Sequence, residues 1–152
     1  IMTLVGVILG SKSDEPFAIE TTQVLESLDI PYEMLVLSAH RTPQKVADYA
    51  KGARERGLEV LIGLAGGAAA LPGTLAAWTT LPVIGVPLTS SELKGVDALH
   101  AIVQMPPGVP VAAVAIGSWG ARNAGYLAAQ ILSIKRPEIS EKYNQHRQQQ
   151  SQ

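Results

Sequence analysis

The sequence predicts an α/β fold: a doubly wound parallel sheet of five strands, flavodoxin-like in order (2-1-3-4-5), layered as an αβα sandwich. Three observations carry this. Five short β-branched runs alternate with amphipathic segments along 152 residues, the pattern of right-handed βαβ units. The runs are near-continuously apolar rather than alternating, as in parallel strands covered on both faces. A chain of this length fits one domain able to bury its own core.

The elements follow in order. A first strand is expected over Thr3–Leu9. After Asp14 a helix begins with Pro16 in its first turn, puts Phe17, Thr21, Val24, Leu25 and Leu28 on one face, and is stopped by Pro31. The second strand is Tyr32–Leu37. A helix then runs from Pro43 to about Arg56, with Val46, Ala50 and Ala53 inward and Gly57 as its C-terminal cap. The third strand, Leu58–Leu64, leads to a helix after Leu71-Pro72-Gly73. Pro82–Val86 is the fourth strand, before a helix over roughly Glu92–Gln104. Val111–Ile116 is the fifth, before a helix over roughly Ala121–Ser133. Residues 1–135 make the domain. Residues 136–152, polar and ending QHRQQQSQ, are expected to start as a helix and fray into a disordered tail.

Composition narrows the function. There is no Cys, so a disulfide framework and a thiolate zinc site are both ruled out. That absence of Cys agrees with a cytoplasmic protein, and the first residues, IMTLVGVILGSKSD, carry no basic stretch and read as a strand rather than a signal peptide. No apolar run approaches the roughly 20 residues that cross a bilayer, so no membrane role is expected. Net charge is -1 and the twelve Lys/Arg form no stripe, which argues against nucleic-acid binding. Charged residues are only 16% of the chain, against an average of about 25%. Such scarcity suggests further burial between subunits, and a homo-oligomer is expected.

Ligands of open parallel sheets bind outside the carboxyl ends of the strands, where five loops should open together. In the first, Gly10-Ser11-Lys12-Ser13-Asp14, two hydroxyls and free backbone N–H groups precede a helix. That is a ready anion site, although Ser13 or Asp14 would equally serve as a helix cap. In the second, Ser38-Ala39-His40-Arg41-Thr42-Pro43, Arg41 can hold a phosphate and an imidazole at His40 can move a proton near neutrality. A solvated loop pair is the plainer alternative. The third, Ala65–Pro72, is nearly all Gly and Ala, suited either to a close approach of ligand to backbone or to a tight packed turn. The fourth and fifth are Pro87–Ser91 and Gly117–Gly120. His100 reads as structural and His146 as solvated, and three scattered His make a metal site improbable. Trp78 and Trp119 read as core or interface anchors.

At these loops the chain resembles the carboxyaminoimidazole ribonucleotide mutase family in its bacterial form. The likeness is carried by GSKSD (Gly10–Asp14), SAHRTP (Ser38–Pro43), AGGAAALPG (Ala65–Gly73), LPVIGVP (Leu81–Pro87) and GVDALHAIVQMPPGVPVAAVAIG (Gly95–Gly117), and covers about Val5–Leu132. Five such strings in order at strand ends are specific. The resemblance implies a flavodoxin-like subunit of an octamer. It also implies an isomerase of purine biosynthesis, which turns N5-carboxyaminoimidazole ribonucleotide into the isomer carboxylated at ring carbon 4, with no cofactor and no metal. By the same resemblance Ser11, Ser13 and Asp14 bind the phosphoribosyl part and Arg41 the phosphate. Ser38 and His40 face the base, with Ala39 between them, and His40 is the catalytic proton-transfer group. Backbone at Ala65, Gly66 and Leu71 lines a carboxylate pocket, and the loop around Gln104–Pro107 comes from a neighbouring subunit.

The chain departs from the family pattern GGAAHLPG at one place, where Ala70 stands for His. Losing that imidazole removes a donor beside the substrate carboxylate and implies reduced turnover with the fold kept. Two other functions remain open on the sequence. One is a carboxylase making the same product from aminoimidazole ribonucleotide and carbon dioxide, a branch whose third loop differs (AGRSN-like). The other is a non-catalytic ribonucleotide-binding module. A flavodoxin or phospho-receiver is excluded, because there is neither a strand-end acidic cluster nor a pair of aromatics to sandwich a flavin.

Overall fold

In the computed structural model, which describes residues 2–152, the five strands form one parallel sheet. They are β1 (Val5–Leu9), β2 (Tyr32–Val36), β3 (Val60–Ala65), β4 (Val83–Pro87) and β5 (Ala112–Ala113), in the order β2-β1-β3-β4-β5. Among the described residues six α-helices accompany them: α1 (Glu15–Ser27), α2 (Pro43–Ala53), α3 (Leu71–Trp78), α4 (Val96–Val103), α5 (Ser118–Ser133) and α6 (Pro137–Gln150). Ile1, at the start of the expected domain, lies outside the described residues. No described helix is long and apolar enough to cross a membrane.

Alternation of side chains across the strands makes the three layers. Val5, Val7 and Leu9 of β1 point into one core with α1, α5 and α6, while Ile8 points into the other with α2, α3 and α4. Every residue of β1, β3 and β4 is buried. Each Leu or Ile withdrawn from water in this way stabilises the fold by about 1.5–3 kcal/mol. Small residues bring α1 and α5 close: a Cβ at Gly125 would lie 2.8 Å from Val24 Cγ1. There the buried Thr21 Oγ1 donates to Ala121 O at 2.7 Å.

Several expectations are corrected. β2 is not covered on both faces: Met34, Leu35 and Val36 are exposed, because β2 is an edge strand that this chain leaves partly open. β5 is a two-residue bridge to Ile84 and Gly85 rather than a six-residue strand, also at an edge. α4 begins four residues later than expected, since Lys94 (φ 54°) and Gly95 (φ 91°) are left-handed and break any helix through them. α2 ends at Ala53, after which Gly57 (φ 94°) turns the chain and Leu58 N–H donates to Ala53 O. The polar C-terminal segment, expected to fray, is helical to Gln150, with Ile139 buried in the core.

α6 is fastened at its start. Arg136 donates both Nη1 and Nη2 to the Glu59 carboxylate, at 2.7 and 2.5 Å, and these bonds hold Glu59 below its ordinary value near 4.5. A carboxyl depressed on folding stabilises above its unfolded pKa and ceases to as pH falls through its folded one. Arg136→Ala should therefore cost about 1 kcal/mol at pH 7. Urea unfolding should show that difference shrinking below about pH 4.5, and an equal difference at pH 3 and pH 7 would contradict it.

Candidate active site

The first loop is a short 3-10 turn, Lys12–Asp14, capped by Ser11, whose Oγ accepts from Ser13 N–H at 3.4 Å and lies 3.0 Å from Ser13 Oγ. The turn leads into α1 with Pro16 near its start. It also buries Asp14, only 6% exposed. Burial raises the Asp14 carboxyl above the usual range, and a backbone hydrogen bond from Ser11 offsets part of that rise.

The second loop is closed by Thr42. Its Oγ1 accepts from Ser38 N–H at 3.0 Å and donates to Ser38 O at 3.1 Å, while Thr42 N–H donates to the same carbonyl at 2.8 Å. Ser38 Oγ in turn accepts from Arg41 N–H at 3.0 Å. This turn presents His40 and Arg41, both exposed, immediately before Pro43 opens α2. The third loop turns through left-handed Gly67 (φ 62°) and Ala69 (φ 43°), the latter a non-Gly residue in a region that favours glycine.

One cavity of about 300 Å³ joins these loops. It brings together Ser11, Ser13, Asp14, Ser38, His40, Arg41 and Gly66 of the expected set. It does not include Ala39, Ala65, Ala70 or Leu71, of which Ala65 and Leu71 are buried and Ala39 and Ala70 half-buried. Of the third loop, Gly66 lines this cavity. Ala65 still belongs to β3, paired with Pro87, and the Leu71 side chain packs inward, 3.9 Å from where a Cβ on Gly10 would stand. Ala70 opens α3, and its carbonyl accepts from Thr74 N–H and Oγ1.

Two further residues line the cavity, Gly10 and Ser90. Ser90 sits in the fourth loop, legible in the sequence as a strand-end loop rich in hydroxyls. A Cβ at Gly66 would collide with Ser90 Oγ, so glycine there is what lets the third and fourth loops meet.

A larger hollow, about 860 Å³, opens at the opposite edge between Lys51, Arg54, Trp78 and Pro82. Its cations are engaged, Lys51 Nζ over the Trp78 ring at 4.3 Å and Arg54 with Thr80 Oγ1 at 2.8 Å. It lies away from the carboxyl ends of the strands, so size alone does not make it the site. Among the described residues no three His, Asp or Glu converge as a metal-holding group. His100 is exposed rather than packed. His146 is not simply solvated: its ring stacks on Tyr126 at 4.6 Å. Trp78 and Trp119 are both exposed in this chain, Trp119 by 73%.

The family model described as AIR carboxylase matches residues 4–152. The chain is 57% identical over 147 residues to an N5-carboxyaminoimidazole ribonucleotide mutase of Pyrococcus abyssi, covering 97% of this chain and 83% of that one. The mutase of that name from Pseudomonas aeruginosa is 58% identical over 144 residues, covering 95% and 88%. The crystal structure of Treponema denticola PurE matches with a TM-score of 0.87 at 29% identity, covering 97% of this chain and 91% of that one.

Because folding raises the Asp14 carboxyl, the folded state holds that proton more readily than the unfolded, and stability falls as pH rises through this range. Asp14→Asn should then be more stable than the parent at pH 7, by about 1 kcal/mol, with the gain fading near pH 3. Urea unfolding at both pH values checks it, and a destabilised variant at pH 7 would contradict it.

Proposed function

Since the chain belongs to the AIR carboxylase family, we propose that it is an N5-carboxyaminoimidazole ribonucleotide mutase, an isomerase of purine biosynthesis, with the strand-end cavity as its active site. The observation that carries this is the meeting of Asp14, His40 and Arg41 in one cavity, fed by two separate loops.

The chemistry divides among those groups. Arg41 takes the phosphate by charge-assisted hydrogen bonds, each worth about 1.5–3 kcal/mol. Asp14 accepts from sugar hydroxyls, with the Ser11 and Ser13 hydroxyls beside it. Ser38, whose backbone is tied by the Thr42 turn, faces the base. His40 gives a proton to the exocyclic nitrogen as its bond to the carboxylate breaks and carbon dioxide is released. Ring carbon 4 then attacks the carbon dioxide, and His40 takes back the proton that carbon 4 sheds. The proton count closes, and the reaction needs no cofactor. Such a general acid–base group typically contributes 10²–10⁴-fold, and confinement of the carbon dioxide adds a proximity gain.

The working form is a homo-oligomer, an octamer, in the cytoplasm. What supports association is the exposed apolar surface of a single chain: Met34, Leu35 and Val36 on β2, Leu93 in the turn before α4, and Val96 and Val103 on α4. A monomer mass by light scattering would remove this part of the proposal.

With the carbamate substrate supplied and product absorbance followed, His40→Asn should abolish turnover while keeping affinity for the ribonucleotide. An equally active variant would remove His40 from its role. Arg41→Ala should weaken ribonucleotide binding about 10–100-fold. Ala70→His should raise turnover, and no gain would show that the imidazole missing from the third loop is not limiting.

A further inference from the structure

The cavity has one wall that the division of labour above leaves unused. The first two loops supply its ionisable groups, while the third and fourth supply only Gly66 and Ser90. Gly66 carries no side chain, so the hydroxyl of Ser90 is the one side-chain donor on that wall. The order of the sheet places β3 and β4 beyond β1, on the far side from the β2 loop that bears His40 and Arg41.

The residue after Ser90 is tied down outside the cavity. Asp97 Oδ2 accepts from Ser91 Oγ at 2.6 Å, and Ser91 Oγ accepts from Leu93 N–H at 3.1 Å. Lys94 N–H donates to Ser91 O at 3.0 Å. The turn so closed runs through left-handed Lys94 and Gly95, and a Cβ at Gly95 would stand 3.4 Å from Leu88 O. The fourth loop is thus pinned on both sides of Ser90, by the end of β4 and by the first turn of α4. Asp97 stays anionic there, its carboxyl lowered chiefly by the Ser91 hydroxyl. Backbone N–H groups at Gly95, Asp97 and Ala98, at the start of α4, lower it further.

We propose that Ser90 donates a hydrogen bond to the migrating carboxylate of the substrate, and that Asp97 is a positioning residue that aims Ser90 through Ser91. This rests on the mutase reading above and assigns the substrate end that Arg41 and Asp14 do not reach. Ser90 is the one side-chain donor that the third and fourth loops bring to the cavity, placed to hold that end while the bond to nitrogen is exchanged for one to carbon. It binds by hydrogen bonding alone and takes no part in the proton count.

The test compares two probes by calorimetry, the carboxylated imidazole ribonucleotide product and ribose 5-phosphate, which lacks both base and carboxylate. Ser90→Ala should bind the product about tenfold more weakly and lose about tenfold or more in kcat/KM, with ribose 5-phosphate affinity unchanged. Asp97→Ala should show the same selective loss. Asp97→Asn, which keeps an acceptor for Ser91, should recover most of it. In the Ser90→Ala background, Asp97→Ala should add nothing further. Ser90→Ala with the parent's product affinity and rate would overturn the proposal while leaving the mutase reading intact. Full additivity of the two substitutions would overturn the positioning role. A parent that neither binds nor converts the ribonucleotide would remove the mutase reading, and this proposal with it.

Discussion

A parallel sheet whose central strands are buried on both faces has one consequence from which the rest of this molecule follows. Each strand must leave by the same edge and return through a helix on one face or the other. In this chain β1, β3 and β4 are wholly buried, so polar side chains are excluded from the strands and collect just beyond their ends. Ser11, Asp14, His40, Arg41 and Ser90 come from three loops spread over eighty residues, yet they line one cavity. Their meeting is a property of the sheet. None of the loops could hold the arrangement alone.

Close approach then shapes that cavity. Glycine at position 66 allows the third and fourth loops to touch, and the small residues of α5 allow α1 to lie against it. The second depends on the same reduction of side-chain volume that makes Ala and Gly so frequent in this sequence. Local rigidity comes from short polar ties such as Thr42 to Ser38 and Ser91 to Asp97. These hold loops whose tips must stay open to solvent.

Asp14 illustrates the tension between folding and function at such a site. Its burial opposes the charge that makes it a strong acceptor for sugar hydroxyls. A chain selected for stability alone would have no reason to keep a carboxylate there. Asp97 at the fourth loop is the opposite case, its carboxyl lowered chiefly by the Ser91 hydroxyl.

The sequence by itself determined the topology, because continuous apolar runs separated by amphipathic segments of this length admit few arrangements. It also marked the GSKSD and SAHRTP loops, where chemistry-bearing residues sit directly after strands. Tertiary structure decided what local pattern cannot encode. Edge position, and with it the exposure of Met34–Val36, depends on which strands find neighbours. The late start of α4 depends on left-handed backbone at Lys94 and Gly95, where a Cβ at Gly95 would collide with Ile116 Cγ2. Ser90 enters the cavity while Ala65 and Leu71 turn inward. The physical reason is common to all three. Hydrophobic periodicity reports which face of an element is apolar, whereas a site is made by the volumes left between elements, and those exist only once the sheet has closed its layers.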